Sequence, residues 1–149
     1  MLRLPLTRGS RGRDQRGASA VEFAIVMTVL FMLLFGVVQF GIAYNRAQGL
    51  EAAAREGARS ASIGSTYTQI LARVREAQSM FTPADVGIVT TPATSGTQRP
   101  CQIAGVGGTV TVQAIVPENS AYAIAIPLWG KRQIRYTALG VFRCERGTP

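Results

Sequence analysis

Residues Arg16–Gly41 read RGASAVEFAIVMTVLFMLLFGVVQFG. From Phe23 to Tyr44 the chain is almost wholly apolar and carries no charge. That is about 22 residues, or about 33 Å of helix at roughly 1.5 Å per residue, enough to span a bilayer core of about 30 Å. Thr28 and Gln39 are the polar interruptions, and Gly36 and Gly41 lower the propensity for a soluble helix; a membrane helix tolerates both features. A cleaved secretory signal has a shorter apolar region, roughly 7–15 residues, followed by a box of small residues. Here the run is longer, and Gly41–Ala43 ahead of Tyr44-Asn45-Arg46 makes a poor box. The run therefore reads as a retained anchor. Glu22, an acid at its doorway, opposes insertion and needs a reason to be there.

The surrounding charge gives the anchor a direction. The chain of 149 residues has a formal net charge of +8. Arg3, Arg8, Arg11, Arg13 and Arg16 all precede the apolar run, against a single acid, Asp14. A basic flank of this kind marks the cytoplasmic side of a membrane segment. Residues 1–17 read as a polar, disordered cytoplasmic leader. Losing Met1–Gly17 would halve the formal net charge of +8. The basic balance therefore does not argue for nucleic acid, and the leader has no aromatic residue on which a base would stack.

Glu22 has a local reading. Ser19-Ala-Val-Glu22 has the S-x-x-E spacing of a capping box, and a carboxylate in a first helical turn complements the helix dipole. Near the interface its cost falls well below the roughly 2.5–3.5 kcal/mol of a charge at the bilayer centre. The junction just ahead of it is small and flexible: Gly17 then Ala18. A protease at the cytoplasmic face could cut after Gly17 and leave the anchor in place, making Ala18 the first residue and Glu22 the fifth.

Beyond the membrane the helix is expected to continue. NRAQGLEAAAREGARSAS, Asn45–Ser62, contains no proline. Leu50, Ala53, Ala54, Gly57, Ala58 and Ala61 recur at spacings of three and four and draw a stripe of small residues along one face. Such a stripe lets a second surface approach closely, either the chain's own sheet or a partner. Glu51 and Arg55 form an i,i+4 pair on another face. Gly64 breaks this helix, and Ser65, Thr66 or Thr68 offers a new N-cap. Ile70, Leu71, Val74, Ala77 and Phe81 then share one face of a second, amphipathic helix, with Pro83 as its expected end.

The remainder reads as strands. DVGIVTT is the first candidate, and TVTVQAIVP alternates most cleanly. In RQIRYTALGVFRC the alternation Ile134, Tyr136, Ala138 shifts to Val141 or Phe142, which calls for a bulge at Gly140. Thr91–Gly108 reads as a loop holding Cys101, and SAYAIAIPLWGK as an apolar loop or short helix. Trp129 suits either a small core or, beside Lys131 and Arg132, a membrane interface. Strands arriving after helices favour an α+β class with an antiparallel sheet of about three strands. The expected division is 1–17 leader, 18–63 transmembrane and protruding helix, and 64–149 extracytoplasmic α+β domain.

Cys101 and Cys144 are the only cysteines and there is no histidine. Two cysteines far apart cannot make a four-ligand zinc site alone. In an exported domain an even count reads as one disulfide, and in a reducing compartment as two buried thiols. No Gly-rich phosphate loop, metal-spaced pair or G-x-S-x-G element occurs. Asp85, Glu118 and Glu145 are scattered without a nameable partner. The expectation is a protein with no catalytic residues, metal or cofactor.

The junction resembles a class III, prepilin-type signal: basic leader, glycine before the cut, glutamate at mature position five, then an apolar helix. RGASAVEFAIV, the pair Phe40-Gly41 and LEAAAREGARSAS together resemble the TadE-like proteins of the tight-adherence (Flp, type IVb-like) pilus system. The resemblance runs from Arg16 to about Ser62. Where that family often carries a proline this chain has Thr28, and where it often carries an acid this chain has Gln39. The resemblance implies a minor pseudopilin in the cytoplasmic membrane, N-terminus cytoplasmic and C-terminal domain extracytoplasmic. It further implies cleavage by a prepilin peptidase between Gly17 and Ala18, and partnership with other pilins or pseudopilins, the inner-membrane assembly platform and the lipid bilayer. It also gives Glu22 a second role, pairing with the new α-amine of a neighbouring subunit. The alternative is a single-pass anchored extracytoplasmic binding module unrelated to pili; Gly17 together with Glu22 separates the two, since a plain anchor needs neither.

Overall fold

The computed structural model describes residues 12–118, 122–126 and 130–145, with the backbone alone at 12–16, 125 and 126. The chain divides into two units, Met1–Val38 and Gln39–Pro149. In the first unit the described residues belong to helix α1 (Gly12–Ser62), which begins inside the segment expected to be a disordered leader. Its side chains from Gly17 to Val38 are exposed, apart from a half-buried Met27. Thr28 Oγ1 donates to the Ala24 carbonyl at 2.8 Å, so the hydroxyl in the apolar run is satisfied within the helix. This helix is long and apolar enough to cross a membrane.

The second unit has a mixed α+β architecture. The second half of α1 is part of its core rather than a stalk beneath it: Leu50, Ala53, Ala54, Ala58 and Ala61 are buried. Gly64, at φ 95°, turns the chain with a backbone conformation that a side chain would oppose. Thr66 then caps α2 (Tyr67–Ala77) through a reciprocal capping box with Gln69. Ile70 and Val74 of α2 are buried on the predicted face. The helix ends at Ala77, before Pro83. The buried Gln78 side chain supplies the stop, donating to the carbonyls of Arg75 (3.3 Å) and Phe81 (3.0 Å) and accepting from the Phe81 amide at 2.8 Å. Pro83 instead opens a single 3₁₀ turn, Pro83–Asp85.

Strands β1 (Gly87–Thr91), β2 (Thr109–Val116) and β5 (Tyr136–Arg143) form an antiparallel sheet of order β1-β2-β5. Val110, Val112, Ala114 and Val116 point into the core, as the alternation of β2 requires. Two expectations are corrected here. The segment expected to be an irregular loop between Thr91 and Gly108 contains a short helix, α3 (Pro100–Ala104), which carries Cys101. The segment expected to be an apolar loop or short helix instead includes a separate hairpin, β3 (Ile124–Ile126) against β4 (Gly130–Arg132). Trp129 lies outside the described residues.

A third correction explains how helix and sheet meet. There is no bulge at Gly140: the register runs unbroken through Thr111↔Val141, Val112↔Gly140 and Gln113↔Leu139. Tyr136, Ala138 and Gly140 keep the inward phase, while Leu139 and Val141 are exposed. Gly140 faces α1 so closely that a Cβ there would collide with the backbone carbonyl of Ala54. Gly57, on the helix side, lies under Val74 and Val112. The small-residue stripe is thus matched to the chain's own sheet and second helix. Short side chains on one surface and a glycine on the other let the backbones approach.

Candidate functional site

The sequence points to two sites, the junction at Gly17–Glu22 and the cysteine pair. The junction residues Gly17, Ala18, Ser19 and Glu22 all lie on α1, and all are exposed. Ser19 sits inside the helix rather than at its start, because α1 already runs from Gly12. The S-x-x-E spacing therefore does not mark the start of the helix in the uncut chain; cutting after Gly17 would bring that spacing to the new helix end. A Cβ at Gly17 would meet nothing within 4 Å, so packing does not demand glycine here. Glycine in a helix costs about 1 kcal/mol relative to alanine, so this turn is held less firmly than an alanine turn would be. Ala18 and Glu22 are four residues apart, hence neighbours on one helix face at about 5–6 Å between Cβ atoms. An ammonium created at Ala18 would oppose the positive end of the helix dipole, and a carboxylate one turn away offsets that cost.

Cys101 and Cys144 are joined, with their Cα atoms 5.6 Å apart and a sequence separation of 43. The bridge ties α3 to the end of β5. Around it, the Gly107 amide donates to the Cys144 carbonyl (3.0 Å), the Cys144 amide to Gly108 (2.8 Å), and the Glu145 amide to the Ser62 carbonyl (3.2 Å). A loop of this length corresponds to about 4 kcal/mol in the chain-entropy account. The bridge thus fastens the end of the unit where α1 stops.

The opposite end is held by aromatic packing that sequence patterns did not reveal. Phe81 packs edge-on against Tyr122 with centroids 4.7 Å apart and tilts against Tyr136 at 5.2 Å. Tyr122 receives a hydrogen bond from the Thr82 amide and donates to Thr82 Oγ1 at 2.8 Å. The Arg46 guanidinium lies over the Tyr122 ring, 5.2 Å from its centroid. These residues come from four separate segments, so no local spacing announces them. Among the described residues no group of three His, Cys, Asp or Glu side chains converges on a point.

Comparison with known proteins bears on the N-terminal helix. No curated protein and no solved structure matches the chain. The family model described as TadE-like protein matches residues 17–59. That stretch opens on the junction glycine, takes in the whole apolar run and ends in the last turn of α1. From Gly17 to Arg59 the chain is similar to TadE-like proteins.

Proposed function

We propose that the protein is a membrane-anchored, non-enzymatic minor pseudopilin required for assembly of a tight-adherence pilus. A prepilin peptidase removes Met1–Gly17 at the cytoplasmic face, and the apolar helix stays in the cytoplasmic membrane. The small α+β unit stands on the extracytoplasmic side, as the five arginines ahead of the run favour. The observation that carries the reading is the coincidence of the family match with the junction: the match begins at Gly17, the residue after which the cut is placed.

The chemistry of the cut gives Glu22 its purpose. Hydrolysis of the Gly17–Ala18 bond leaves an α-ammonium on Ala18. Within a packed set of membrane helices that charge is costly unless paired. Glu22 on an adjoining pilin or pseudopilin supplies the opposite charge, and the low dielectric strengthens the pair relative to water. Before the cut there is no such amine, so pairing is available only to processed subunits. In this reading the peptidase, the assembly platform and other pilins are the partners.

The test is Gly17→Asp in the native membrane. The expected result is an inserted, full-length protein, because the apolar run is untouched, together with loss of pili. Normal pilus yield with the uncut chain as the sole species would refute the proposal.

A further inference from the structure

We infer that Lys131, Arg132 and Arg135 form a second contact with the membrane, binding the anionic phospholipid headgroups of the bilayer that α1 crosses; the inference rests on the spanning role proposed above. The topology supplies the placement. β2 ends at Val116, opposite Tyr136 at the start of β5, so the β3–β4 hairpin leaves and rejoins the sheet at that end. The same end holds the Phe81–Tyr122–Tyr136 cluster. Tyr122, two residues before β3, lies under Arg46, and Asn45 Nδ2 donates to Met80 Sδ at 3.6 Å. Asn45 and Arg46 directly follow Tyr44, the last residue of the apolar run. The hairpin is therefore rooted at the end of this unit where residues 39–44 emerge.

The charge at this end is lopsided. Lys131, Arg132 and Arg135 are exposed. Among the described residues the ion pairs are Arg55–Glu51, Arg59–Glu56 and Arg73–Glu76, so none involves these three cations. Nearby, Arg75 is engaged with the Val86 carbonyl at 3.0 Å, and Asp85 and Glu118 are the acids flanking the sheet end. The hairpin also pairs with neither edge of the main sheet. An isolated two-stranded hairpin is at best marginally stable in water, so a surface that seats it would explain its persistence. A plane of phosphate headgroups beside Asn45 provides that surface and complements the cations. Each basic residue near an anionic membrane adds roughly fivefold to association, and three add about 100-fold before screening. Salt weakens this attraction over a Debye length of about 8 Å at physiological ionic strength.

The experiment uses the full chain reconstituted in vesicles, with its disulfide intact and a fluorophore on Gln133→Cys or, at the opposite end, on Val106→Cys. Quenching by headgroup-labelled lipid reports proximity. With about 30 % phosphatidylglycerol, position 133 should be quenched about threefold more than position 106. The difference should vanish in phosphatidylcholine alone, in about 1 M salt, and in the Lys131→Glu, Arg132→Glu, Arg135→Glu variant. Equal quenching at 133 and 106 in anionic vesicles, with the chain resistant to alkaline extraction, would overturn the headgroup contact and leave the spanning role intact. Quenching at 133 that ignores salt and lipid charge would also overturn it. A chain extracted by alkali would overturn the spanning role and this inference together.

Discussion

Gly140→Ala tests how α1 is seated on the sheet. Gly140 lies on β5 opposite Val112, and its added Cβ would collide with the carbonyl oxygen and carbon of Ala54 and the amide of Arg55. These are backbone atoms of a helix, so no rotamer change relieves the overlap and the helix must lift from the sheet. A gap of roughly 0.5–1 Å forfeits a quarter to a half of the dispersion energy of the atoms facing it. The residues affected are Ala53, Ala54, Ala58 and Ala61 on the helix and Val110, Val112 and Ala114 on the sheet, all buried. Overpacking of a core commonly costs about 1–3 kcal/mol, and a rigid obstacle puts this case near about 3 kcal/mol. For a domain of this size that lowers Tm by roughly 10–20 °C. Two further variants calibrate the effect. Gly57→Ala meets the Val74 side chain instead and gains about 1 kcal/mol of helix propensity, so it should cost about 1 kcal/mol net. Gly36→Ala meets nothing within 4 Å and should not lower Tm. Thermal unfolding of the detergent-solubilised chain, followed by near-ultraviolet circular dichroism, reads all three. A Gly140→Ala protein melting with the wild type would refute the close seating of helix on sheet.

Three other outcomes are expected. Glu22→Gln should leave the protein inserted and at normal abundance yet reduce its cross-linking to pilus components and the pilus yield, with Glu22→Asp intermediate; unchanged piliation would leave Glu22 with a local helix role alone. Replacing both Cys101 and Cys144 by serine should remove about 4 kcal/mol, and an unfolding midpoint insensitive to the double change would count against the bridge as a fastening for α3 and β5. Tyr136→Phe should stabilise the unit slightly, because the buried Tyr136 hydroxyl has no hydrogen-bond partner among the described residues and an unpaired buried group costs about 1–3 kcal/mol; a clear loss in urea titration would show that the hydroxyl has a role the packing does not reveal.

Much of the fold was legible because it is periodic. The uncharged run, the stripe from Leu50 to Ala61, the apolar face of α2 and the alternation of β2 are all repeats set by backbone geometry. What resisted reading was non-periodic or long-range. A glycine carries no side chain to declare which face it occupies, so Gly140 looked like a break in phase when it was the tightest inward position. The end of α2 depends on one amide side chain, Gln78, folding back on three backbone groups, while the expected terminator Pro83 serves a different turn. The hairpin at Ile124–Arg132 has short strands, and an apolar run of that length does not separate strand from helix. The proposed junction is read from chemistry alone: a small residue pair, a basic leader and an acid just ahead of the uncharged run Phe23–Tyr44. The start of the helix at Gly12 was not, because the glycine-rich, charged stretch before Ala18 has little intrinsic reason to be helical.

The proposed cut after Gly17 decides what remains of the chain in its own membrane. Intact mass together with N-terminal sequencing of the protein extracted from native membranes measures it directly. The expected result is one species beginning Ala18-Ser19-Ala20-Val21-Glu22, with the apolar run and the Cys101–Cys144 bridge both retained. A chain that begins at Met1, or one that has lost Phe23–Tyr44, would contradict it.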